Sequence, residues 1–68
     1  MQMMKEYITR MKAEKEELDN RIKKAEKAIQ NPPYNADEKS IELLKQQVEY
    51  MRGYSDILHQ RLEYEVNR

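Results

Sequence analysis

One break, Asn31-Pro32-Pro33-Tyr34-Asn35, divides this 68-residue chain and limits how it can fold. Proline has no N–H to donate and pushes the residue before it out of the α region, so no helix runs through this segment. Upstream, apolar residues fall at Met4, Ile8, Met11, Leu18, Ile22, Ala25 and Ile29, in alternating steps of four and three, with Lys15 at the one missing position. That is a heptad seam on a helix over about residues 4–30. Glu6 with Arg10, Glu17 with Arg21 and Asp19 with Lys23 stand at i,i+4 on its outer faces. Downstream, Asn35-Ala36-Asp37-Glu38 reads as an N-cap at Asn35 with a capping-box glutamate at Glu38. Ile41, Leu44, Val48, Met51, Leu58 and Leu62 then repeat the seam, with Ser55 in its gap. A second helix over about residues 37–66 follows. Two helices of equal length joined by a loop at about 31–36 predict an all-α fold, a single coiled-coil-like antiparallel hairpin spanning residues 1–68.

Such a hairpin is short of core. A chain this small buries only about 60% of its unfolded surface. It has no cysteine, so disulfides and Cys-based zinc sites are excluded, and any staple is a partner subunit or a ligand. The second helix carries a further stripe: Leu43, Tyr50, Tyr54, Ile57 and Tyr64, with Gln47 and Arg61 filling its register. One apolar face suffices to pack against the first helix. The extra face predicts self-association into a homo-oligomeric bundle; the plainer reading is a wider seam with half-exposed tyrosines. All five aromatics are tyrosine, and three lie on this stripe, where a partly wet interface suits a ring with a polar tip. Tyr7 lies off both seams.

Pairing Ile29 with Ile41 makes facing residue numbers add to about 70 and sets Ile22 against Val48, Leu18 against Met51, Met11 against Leu58 and Ile8 against Leu62. Lys15 then falls opposite Ser55, with Gly53 and Tyr54 alongside. Gly53 costs about 1 kcal/mol in a helix interior, which close approach of a chain or ligand would justify. This polar layer reads either as a register device, with the Lys15 stem snorkelling across the seam, or as an entry for an anion.

Other chemistries find little support. Ser55, Asp56 and His59 are triad residue types crowded onto one helix, with no Gly-rich elbow or oxyanion nest. Asp56, His59 and Glu63 resemble half of a bundle metal site, but the first seam supplies no inward glutamates. No catalytic residue, metal or cofactor is therefore expected. Thirteen basic residues balance 13 acidic ones, unlike the basic footprint of a duplex-binding domain. Lys23, Lys24 and Lys27 complement the helix dipole beside the opposing Glu26. No face joins lysine to bulky apolar residues as a membrane-surface helix would. The Met1–Lys5 stretch lacks a signal-length apolar run, so a cytoplasmic location is expected.

The run Tyr7-Ile8-x-Arg10-Met11, then Glu17-Leu18-x-x-Arg21-Ile22, Asn31-Pro32-Pro33, Leu43-Leu44-x-x-Gln47 and Met51-x-x-Tyr54-x-x-Ile57-Leu58-x-x-Arg61-Leu62 resembles small hairpin proteins of crAss-like and other tailed phages. These are similar to the hairpin domain of phage anti-CBASS and anti-Thoeris sponges. The resemblance implies a homo-oligomer, up to a hexamer, in the host bacterial cytoplasm. It would sequester a cyclic nucleotide or cyclic ADP-ribose immune signal without catalysis. It also implies a tyrosine stacking on a base, matched here by Tyr7, and a cation on phosphate, for which Lys5, Arg10 and Lys15 are all candidates. Tyr54 and Arg61 complete the candidate ligand set. The alternative is an oligomeric coiled-coil adaptor that docks a protein and takes no small molecule.

Overall fold

The computed structural model describes residues 2–68, with side chains from residue 6 onward. Two helices, α1 (Gln2–Gln30) and α2 (Glu38–Asn67), pack along their length as an antiparallel hairpin. Met11, Leu18, Ile22, Val48 and Leu58 are buried in one cluster. Ala25, Ile29, Met51 and Leu62 pack against it half-covered. These are residues of the two predicted seams. Met4, the first seam position, lies outside the described side chains.

The connection differs from its sequence reading. The N–H of Ala36 donates to the Pro33 carbonyl at 2.9 Å, closing a turn with Tyr34 and Asn35 at its centre. Asn35 is therefore spent in the turn, and the N-cap is Asp37. Its backbone is extended, at φ −99 and ψ 175, and its carboxylate accepts from the N–H of Ser40 at 2.8 Å. That bond satisfies one of the donors a helix start leaves orphaned. The Asn35–Glu38 capping box is thus replaced by a single Asp37 cap.

The molecule is a rod of 50 × 15 × 14 Å. Its radius of gyration of 15.5 Å exceeds the roughly 11 Å of a compact domain of this length. The accessible surface is 5936 Å², whereas a compact monomer of this mass exposes about 4,600 Å². One seam between two helices gives no thicker core, so the outer faces stay in solvent. Among the described residues no helix is long and apolar enough to cross a membrane.

Candidate functional site

The polar layer forms, but with a different membership. Ser55, only 8% exposed, donates its hydroxyl to Asp19 Oδ1 at 2.5 Å. The ammonium of Lys15 donates to Asp19 Oδ2 at 2.8 Å. Asp19 was expected on the outer face with Lys23. It turns inward instead, because Ser55 and Lys15 converge on it. Facing numbers in the cross-helix contacts run from 68 (Tyr7 with Arg61, Glu14 with Tyr54) through 74 (Asp19 with Ser55) to 78 (Glu26 with Arg52). The layer thus sits one turn further along α1 than the predicted sum of 70 places it. The Lys15 bond, then the Ser55 bond, holds the Asp19 carboxyl below its ordinary value, against a smaller desolvation effect. Among the described residues no buried side-chain nitrogen or oxygen lacks a partner. The layer is closed on itself, and its Lys15 charge is already matched.

A second cluster lies on one flank of the hairpin. The Arg61 guanidinium donates to the Tyr7 hydroxyl and stands 5.8 Å from the centroid of the Tyr7 ring, within cation–π range. Tyr7 keeps 40% of its surface exposed. The Tyr54 hydroxyl donates to Glu14. That bond, reinforced by desolvation and the Glu14 charge, raises the Tyr54 pKa above its ordinary value. Arg10 lies three residues after Tyr7 and four before Glu14, so helix geometry sets it on this flank; it is exposed. Tyr7, Arg10, Arg61 and Tyr54 thus share one flank, brought together from four sequence positions. Lys15 belongs to the polar layer with Asp19, and the Lys5 side chain lies outside the described residues. Asp19 and Glu14 were missed as site members; only the helix-to-helix register could have revealed them.

The α2 stripe faces solvent in the single hairpin. Leu43 and Ile57 are each 51% exposed, Tyr54 48%, Tyr64 66% and Tyr50 80%. Gly53 lies between Tyr50 at i−3 and Ile57 at i+4. A Cβ built on it meets nothing within 4 Å, so the close approach expected there is not made by the hairpin itself. His59 pairs with Glu63 at 3.0 Å and Asp56 accepts from Gln60 at 3.1 Å, both on the surface. Among the described residues no group of three or more His, Cys, Asp or Glu is placed to hold a metal ion.

Residues 5–64 match the Sequestin family. The chain belongs to the Sequestin family. The match spans α1 from its first turn to the last turn of α2, and so takes in the Tyr7–Arg61 flank, the polar layer and the α2 stripe. No curated protein and no solved structure matches the chain. Membership in the Sequestin family points to binding rather than catalysis, and the flank offers an aromatic face beside cations instead of a nucleophile and base.

Proposed function

We propose that this Sequestin family member is a non-catalytic sponge for a small anionic nucleotide signal of the cyclic nucleotide or cyclic ADP-ribose type. The observation that carries this reading is the Arg61 guanidinium held against the exposed Tyr7 ring, 5.8 Å from its centroid. A base stacks on an aromatic face, and a guanidinium takes phosphate oxygens in a two-pronged hydrogen bond. Arg10 adds a second cation to the flank. Glu14 offers an acceptor to a base amine or ribose hydroxyl. Lys15 is the weaker phosphate candidate, because a ligand there competes with the Asp19 carboxylate 2.8 Å away. The family's name speaks of sequestration. The resemblance to anti-CBASS and anti-Thoeris sponges supplies the setting, a phage-encoded inhibitor of immune signalling in the host bacterial cytoplasm.

The flank of one hairpin is open, whereas small-molecule sites are concave and cover most of their ligand. The reading therefore includes self-association through the α2 stripe, which runs beside the flank and shares Tyr54 and Arg61 with it. A duplex nucleic acid and a membrane have no place in it.

Isothermal titration with cyclic di- and trinucleotides and cyclic ADP-ribose isomers tests the proposal. At least one is expected to bind. Tyr7→Ala should weaken that binding by about tenfold or more through the lost stacking, with the oligomer intact. Loss of the oligomer instead makes Tyr7 a packing residue. Silence across the whole panel, in heat and in thermal shift, sinks the sponge reading. It would favour the second one, an adaptor whose exposed α2 stripe docks a protein.

A further inference from the structure

We propose that two hairpins pair antiparallel about a two-fold axis passing beside Gly53 and Tyr54, with the Tyr54 ring released from its Glu14 partner and seated over Gly53 of the second copy. This deepens the self-association in the function proposed above and rests on it.

The stripe itself carries the register. Under a two-fold axis between positions 53 and 54, Leu43 meets Tyr64 of the second copy, Tyr50 meets Ile57, and Tyr54 meets Gly53. Every apolar residue of the stripe then faces an apolar residue or the notch. Sliding the helices by one heptad in either direction strands one end of the stripe. The axis lies close to the midpoint of α2 (Glu38–Asn67), so the helices overlap over their full length. An isologous pairing of this kind uses one patch twice and closes without open ends.

Gly53 points the same way. Its φ is not positive, so its backbone does not require glycine. A Cβ on it would meet nothing in the hairpin. The missing side chain leaves a dimple between Tyr50 and Ile57, and a flat ring fits it. A parallel pairing matches the heptads equally well but sets Gly53 against Gly53, leaving the dimples unfilled. It also sets Arg61 against Arg61, two like charges in one interface. The antiparallel register puts Arg61 level with Gln46 and Gln47 level with Gln60, with no like-charge pair along the stripe.

The area is sufficient. The hairpin exposes 5936 Å², about 1,300 Å² more than a compact monomer of its mass. A standard interface takes about 800 Å² from each partner, which fits within that excess.

The chain has no cysteine, so engineered thiols report the register cleanly. Leu43→Cys and Tyr64→Cys proteins, mixed and oxidised, should form a heterodimer linked between the two variants. Neither variant alone should cross-link. Two residues at position 43 would lie about 32 Å apart along the helices, against the roughly 7 Å a disulfide tolerates between Cα atoms. Cross-linking of either variant by itself indicates parallel pairing and overturns the proposal. Light scattering on the reduced proteins separates the remaining outcomes. A multimer without the mixed cross-link overturns the register while leaving self-association standing, and a monomeric wild type overturns both. Gly53→Leu gives an independent reading. Leucine favours the helix and its Cβ clears the hairpin, so the protein stays folded. Filling the dimple should weaken association by about tenfold or more. Association that is unchanged or tighter defeats the Tyr54–Gly53 contact.

Discussion

At the scale of single residues, burial and partner count separate what matters from what decorates. Leu58 is fully buried, and Leu58→Ala leaves a cavity that costs about 3 kcal/mol. In a fold with one thin seam that is a large share of the whole, so circular dichroism should show the variant largely unfolded. Ser55→Ala removes one hydrogen bond to Asp19 and should cost about 1 kcal/mol in urea melts. Asp19 also makes the fold acid-sensitive, and the sign follows from the direction of its shift. Its folded carboxyl, held down first by Lys15 and then by Ser55, titrates below its unfolded value. The stabilisation is complete above the ordinary carboxylate value and fades as pH falls through the lower folded one. Melting temperature should therefore drop below about pH 4, and Asp19→Asn should flatten that drop. An equally steep acid limb in Asp19→Asn would assign the effect to other carboxylates.

At the scale of elements, each helix is amphipathic by design of its spacing, and the junction decides where each begins and stops. The Pro33–Ala36 turn consumes Asn35, which leaves Asp37 as the acceptor for the Ser40 N–H. Asp37→Ala should fray the first turn of α2 and lower the melting temperature, whereas Asp37→Ser, another good cap, should largely restore it. Equal melting of both variants and wild type would deny the cap its role. The two helices, the seam and the hairpin were legible because heptad spacing and a double proline are local signals. The cap was not, since Asn35, Asp37 and Glu38 all suit a helix start and only the turn's hydrogen bond chooses between them. Likewise Asp19 reads as an outward partner of Lys23 until the two helices dock. A shift of one turn in register then brings it beneath Ser55. Tyr7 is plain in the sequence as a tyrosine off the seam, but its contact with Arg61, 54 positions away in sequence, exists only in the docked pair.

At the scale of the whole molecule, the rod has more surface than its mass warrants and an apolar stripe along one side. If copies cover that stripe, folding and association are linked, and stability rises with protein concentration. Melts taken over a hundredfold range of concentration should shift upward; a constant midpoint would place the stability within the single hairpin. Under the proposed function, a bound nucleotide should add a further upward shift, and Tyr7→Ala should reduce it.

The helices, the break, the seam and the second apolar face are local features, each written in spacings of three and four residues or in proline's missing donor. The tertiary structure decided which side chains meet. The Asp19–Lys15–Ser55 layer, the Asp37 cap and the Tyr7–Arg61 flank depend on how far one helix slides along the other. Heptad patterns repeat, so several registers bury the same apolar residues at similar cost. The final choice falls to a few hydrogen bonds and ion pairs between positions far apart in the chain, which no local spacing encodes.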